Sequence, residues 1–209
     1  LEYNPIGATQ EARPAGMPPN ARTEESAMSR VSQPGHWYIA VEGAIGVGKT
    51  TLARKLHDYM DTGLLLEVFE ENPFLVKFYE SRARYAFQTQ MFFLLSRYRQ
   101  QQQLAHLLEI NALISDYMFA KDRLFAALNL VGDEWEIYEQ LHSALALQIP
   151  TPDRAGYLRA DTDVLMARIA QRDRPYERDM DRDYIDALRS AYERFFERYH
   201  DTPVLAIDT

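Results

Sequence analysis

Cysteine is absent from the 209 residues, which excludes disulfides and thiolate-held metals and suits a reducing compartment. No apolar run approaches the roughly 18 residues of a membrane-spanning helix. The N-terminal region shows no basic stretch followed by an apolar one, so no secretory signal is legible. Positive charge is also short. The 23 Lys and Arg stand against 31 Asp and Glu, a net charge of -8 that disfavours generic binding to a nucleic-acid backbone. The five histidines (His36, His57, His106, His142 and His200) follow no zinc-ligand spacing, and no serine sits in a nucleophile elbow. The expectation is a soluble cytoplasmic protein with neither membrane nor nucleic acid among its partners. The length suits one sizeable domain, and a 46% hydrophobic share is ordinary for a globular chain.

Residues 1–35 carry many Pro, Ala, Gly and Ser without periodicity, and read as a disordered leader outside the fold. From His36 onward, short apolar runs alternate with helical patterns. The runs Trp37–Glu42, Gly63–Val68, Asn111–Ser115, Ala155–Ala160 and Val204–Asp208 predict five strands. Helical patterning covers Lys49–Met60, Asn72–Ile110 (broken near Pro73 and Ser81), Phe119–Asn129, Glu134–Leu147, Asp161–Arg172 with an Asp or Thr cap, and Asp183–His200. Within the long stretch, Phe87, Met91, Leu94, Leu95 and Tyr98 share a broad apolar face. Strand–helix alternation predicts an α/β fold, a five-stranded parallel sheet with helices on both faces.

One stretch carries specific chemistry. Gly43-Ala44-Ile45-Gly46-Val47-Gly48-Lys49-Thr50, followed by Thr51, fits G-x-x-x-x-G-K-T between a strand and a helix. Glycines let backbone N–H groups close around phosphates, and the helix N-terminus adds its dipole. Lys49 neutralises terminal phosphate oxygens, and the Thr50 hydroxyl is a ligand for Mg²⁺. The stretch predicts a three-layer P-loop fold that binds ATP, without saying what accepts the phosphoryl group.

Candidates for the acceptor side are charged. Glu67 ends the second predicted strand, read as lying beside the P-loop, where a carboxylate can take a proton from an attacking hydroxyl. Glu70 and Glu71 follow so closely that position does not choose among the three. Asp116, at the end of the third strand, serves either a metal or the cap of the next helix. Arg168, Arg172, Arg174 and Arg178 lie within eleven residues. They are either cations at a helix C-terminus or a mobile lid that brings guanidinium groups to a transferring phosphoryl group.

Taken in order, "EGAIGVGKTT", "LLLEVFEENPF", "QMFFLLSRYRQ", "SDYMFAKDR" and the arginine segment resemble the deoxynucleoside kinases, the family of deoxycytidine, deoxyguanosine and deoxyadenosine kinases. The resemblance runs from about Tyr38 to Asp208. It implies an α/β kinase that moves the γ-phosphoryl of ATP, with Mg²⁺, onto the 5′-hydroxyl of a deoxynucleoside, and that forms a homodimer through helices. It makes Glu67 the general base, with Glu70 as the alternative. Gln90 becomes the base-reading amide, with Gln88 as fallback, and Arg97 and Asp122 stand near it. Tyr79 and Glu177 hold the sugar 3′-hydroxyl. Arg168, Arg172 and Arg174 act on the transferring group beside Lys49, and Thr50 and Asp116 attend the metal. Arg97 and Asp122 together resemble members that accept purines or deoxycytidine rather than thymidine, and the "EENPF" run favours deoxyguanosine or deoxyadenosine. Where the family often has acid-Arg-Ser, this chain has Asp116-Tyr117-Met118, so one cation must come from elsewhere. The resemblance also places a donor-adenine loop and a final helix after Thr209. The competing expectations are a nucleoside monophosphate kinase, disfavoured by the acidic "EVFEEN" segment, a non-catalytic kinase-like binding subunit, and an ATP hydrolase or motor.

Overall fold

The computed structural model describes residues 36–69 and 71–209, so the expected leader and Glu70 lie outside the described residues. Five strands form one parallel sheet: β1 (Tyr38–Gly43), β2 (Gly63–Leu65), β3 (Leu113–Ser115), β4 (Arg154–Arg159) and β5 (Val204–Asp208). Their order across the sheet is β2-β3-β1-β4-β5. The helices are α1 (Lys49–Met60), α2 (Leu75–Glu80), α3 (Arg82–Gln101), α4 (Leu104–Ile110), α5 (Lys121–Asn129), α6 (Asp133–Ala146), α7 (Thr162–Arg172) and α8 (Arg182–Arg198).

Alternation along central β1 shows why the sheet is covered on both sides. Tyr38 and Ala40 belong to one buried cluster with Leu104, Leu113 and Met118. Val41 belongs to the larger cluster with Phe78, Leu94, Ile114, Leu158, Leu165 and Leu188. Side chains two residues apart share a face, so a strand with buried side chains on both faces needs a layer on each side.

Several expectations are corrected. The Gly63–Val68 run forms only three residues of strand, half-buried at the sheet edge, and Glu67 follows β2 rather than ending it. Because β3 lies between β2 and β1, the strand beside β1 and its P-loop is β3, which Asp116 directly follows, and not β2, which leads to Glu67. The apolar face read on α3 is not its most buried one: Thr89, Gln90, Arg97 and Gln101 are buried, while Leu95 is exposed. Tertiary context overrides the apolar pattern because that helix walls a polar cavity. The helix also breaks at Gln102–Gln103, which the pattern did not signal. At α7, Asp161 occupies the cap position without a side-chain cap bond, and Thr162 instead donates to Asp186 at 2.6 Å.

Candidate active site

Polar groups gather where the parallel strands end. Glycine makes the β1–α1 turn possible. Gly43, Gly46 and Gly48 have φ of 145°, 86° and 105°, conformations that L side chains avoid. A Cβ on Gly43 would lie 2.4 Å from the Leu158 carbonyl oxygen, and one on Gly46 would lie 2.9 Å from that of Leu165. α1 starts without a side-chain cap, so its first N–H groups remain available to an anion. Lys49 Nζ donates to the Gly43 carbonyl at 2.8 Å and that of Ala44 at 3.2 Å. Gly43 and Ala44 thus hold the lysine from behind. Residues 46–51 line an open cavity with Lys55, Arg168, Arg172, Arg174 and Thr209. Burial, and then the charge of Lys121, lower the Lys49 ammonium to about 8.

Asp116 links both halves of the site. Its Oδ2 accepts from Thr50 Oγ1 at 2.5 Å, and its Oδ1 accepts from the Glu67 N–H at 2.8 Å. Hard oxygen donors this close fit a magnesium ion that takes its remaining ligands from phosphates and water. Among the described residues, no group of three or more acidic or histidine side chains is placed to hold a metal alone.

A second cavity lies behind the loop. It is lined by Ile45, Glu67, Phe69, Tyr79, Gln90, Phe93, Arg97, Lys121, Arg172, Arg174 and Glu177, among others. Glu67 is embedded in cations. Oε1 accepts from Arg97 Nε at 2.8 Å and also from the second guanidinium nitrogen; Oε2 accepts from Lys121 Nζ at 2.5 Å. Burial alone would raise this carboxyl, but Arg97 and Lys121 outweigh it and hold it well below the usual carboxylate range. Arg97 also pairs with the fully buried Asp122 and lies over the Phe93 ring at 4.6 Å. Gln90 is 2% exposed, and its amide oxygen has no donor among the described residues. Gln88 is exposed, as is Glu71. Two side chains about 200° apart on a helix cannot both face one cavity.

The arginine segment closes one wall. Arg172 donates to Glu177 Oε2 at 3.0 and 2.5 Å, and Arg174 lies 3.7 Å from Glu177 Oε1 and over the Phe69 ring. Tyr176 stacks on Tyr79 with centroids 6.1 Å apart. Arg168 reaches the Val47 carbonyl and the Thr209 hydroxyl. Arg178 pairs with Asp173 on the surface, away from the cavity.

Sequence reasoning missed two groups. Glu42, read only as a strand end, is fully buried, and desolvation raises its carboxyl. It accepts from the Met118 N–H at 2.7 Å, the Tyr192 hydroxyl at 3.0 Å and the Gly43 N–H at 3.2 Å. Lys121, the cation on Glu67, is 3% exposed. An acid inside an apolar strand run signals the first; five residues of irregular chain hide the second from any spacing rule.

A P-loop facing a polar cavity whose carboxylate can meet a hydroxyl defines a phosphotransferase of the P-loop kinase class. The deoxynucleoside kinase family model matches residues 39–209, and the chain belongs to that family. It is 37% identical over 158 residues to a deoxyguanosine kinase of Bacillus subtilis (strain 168), covering 75% of this chain and 76% of that one. A deoxyadenosine kinase of Dictyostelium discoideum is 31% identical over 179 residues, 82% of this chain and 71% of that one. In structure the chain resembles deoxyadenosine kinase from M. mycoides with bound dATP. The TM-score is 0.73 at 24% identity, over 83% of this chain and 91% of that one, a likeness of fold. The monophosphate kinase, hydrolase and binding-subunit expectations give way to a deoxynucleoside kinase.

Proposed function

We propose that this enzyme phosphorylates the 5′-hydroxyl of a purine deoxynucleoside, with Glu67 as the residue that receives the hydroxyl proton. The observation that carries this reading is Glu67, whose carboxylate lines the cavity behind the P-loop and whose backbone N–H is tied through Asp116 to Thr50. The P-loop amides and Lys49 hold the triphosphate, and Arg168, Arg172 and Arg174 approach its terminal group from the opposite wall. Thr50 and Asp116 hold the Mg²⁺, which neutralises phosphate charge when bound. Gln90 reads the base with its unpaired amide oxygen, beside Arg97 and Asp122. Tyr79 and Glu177 hold the 3′-hydroxyl, and Tyr176 packs behind Tyr79. The purine preference is supported by the names of the relatives.

In the transfer, the 5′-oxygen forms a bond to the γ-phosphorus and its proton passes to Glu67. The bond from that phosphorus to the β,γ-bridging oxygen breaks with its electron pair leaving on ADP. Such transition states are loose, so the hydroxyl needs aim more than early deprotonation. A carboxylate kept ionised by cations suits that role.

Turnover with Mg²⁺-ATP against deoxyguanosine, deoxyadenosine, deoxycytidine and thymidine tests the reading. One purine deoxynucleoside should be preferred, and Glu67→Gln should lower kcat by about 10²–10⁴-fold. Equal turnover in the variant would remove Glu67 from this role, and a pyrimidine preference would remove the purine assignment.

A further inference from the structure

Glu67 has two oxygens and two cations, and the cations are not equivalent. Arg97 on Oε1 has an alternative anion, because it also pairs with Asp122 on α5. Lys121 on Oε2 has no other acidic side chain within ion-pair distance among the described residues. Its ammonium is buried and lies 5.3 Å from the Tyr117 ring centroid. Its backbone is fixed as well: the Lys121 N–H donates to the Met118 carbonyl at 3.3 Å, and the Met118 N–H is held by Glu42. An arriving hydroxyl can therefore displace Arg97 onto Asp122 without leaving a bare buried charge, whereas displacing Lys121 would leave one.

We propose that Lys121 is a positioning residue for phosphoryl transfer. It anchors Glu67 Oε2 and thereby makes Oε1 the oxygen that meets the acceptor hydroxyl. The proposal rests on the reading of Glu67 given above. It also accounts for the cation missing from the Asp116-Tyr117-Met118 segment: the positive charge comes from the first residue of α5 instead. Without Lys121, the carboxylate is free to turn both oxygens onto the Arg97 guanidinium, a geometry carboxylates favour, and to leave the hydroxyl unaimed. A misplacement of about 1 Å at a reacting group costs on the order of 10²-fold in rate.

The experiment compares wild type, Glu67→Gln, Lys121→Met, Lys121→Arg and Lys121→Ala in one assay. Lys121→Met should lower kcat about 100-fold while KM for ATP and for the deoxynucleoside stays near wild type. Lys121→Arg should recover part of the loss. Propylammonium should restore Lys121→Ala saturably, whereas propanol, lacking the charge, should not. A purely structural lysine would instead lower the denaturation midpoint, and neither arginine nor the amine would restore kcat selectively. If Glu67→Gln abolishes turnover and Lys121→Met does not, the positioning role is wrong and the base assignment stands. If Glu67→Gln leaves turnover intact, the base assignment is the one that fails. Should Lys121→Met not fold, amine rescue of Lys121→Ala and the kcat of Lys121→Arg decide the same question.

Discussion

Single side chains in this protein show how burial and charge compete. Glu67 and Glu42 are both withdrawn from water, yet their carboxyl groups shift in opposite directions. Glu67 touches two cations and is held low; Glu42 is bonded by neutral donors, and desolvation prevails. His142 is the simplest case, with an imidazole stacked on Phe119 at 5.0 Å and near Tyr138 at 6.0 Å. Its Nε2 has no hydrogen-bond partner among the described residues. Burial lowers its pKa from 6.5, the adjacent Arg123 adding to this against Glu139 and a Phe119 backbone bond. The unfolded chain then binds a proton that the folded chain resists. Stability from this group is complete above about pH 6.5 and declines as pH falls below it. Replacing His142 with Gln should flatten the fall in urea midpoint between about pH 7 and 5. Parallel midpoint curves for variant and wild type would show that the imidazole does not titrate on unfolding.

Among the elements, the β1–α1 connection is the most constrained. Gly43 combines a φ of 145° with a backbone oxygen only 2.4 Å from where a Cβ would stand. That oxygen belongs to β4, so the clash cannot be relieved by turning a side chain; the sheet itself must give. Gly43→Ala should lower stability by more than about 2 kcal/mol, read by urea denaturation, and weaken ATP binding with it. Gly48 has a similar positive φ but open space around it, so its alanine variant should lose less. Equal losses at the two positions would mean that φ strain, and not the Leu158 carbonyl, sets the cost.

For the molecule as a whole, α3 and α6 pack together yet leave apolar side chains outside. Leu95 on α3 is 42% exposed, Ile137 on α6 54%, and Leu147, just after α6, 86%. Exposed apolar side chains at two packed helices are a reason to test the expected pairing of two chains there. Light scattering should give twice the 24.3 kDa chain mass, and Leu95→Asp should return it to one. A single-chain mass for the wild type would mean that these side chains serve no dimer.

Much of this was legible in the sequence because its causes are local. The P-loop is a run of glycines whose conformations nothing else tolerates, and α1 and β5 keep the bounds that their apolar periodicity predicts. Asp116 was readable as an acid at the end of a strand, because it directly follows β3 and parallel strands present their C-terminal ends to one side, whereas Glu67 lies two residues beyond the end of β2. Strand order was not legible, since no local signal says that β3 enters between β2 and β1. Nor were the partners of Glu67, which come from residues 30 and 54 positions away. A buried lysine and an exposed one are the same letter in sequence. Only the packing of α5 against α3 determined that Lys121 lost its water, and a desolvated ammonium must find a carboxylate.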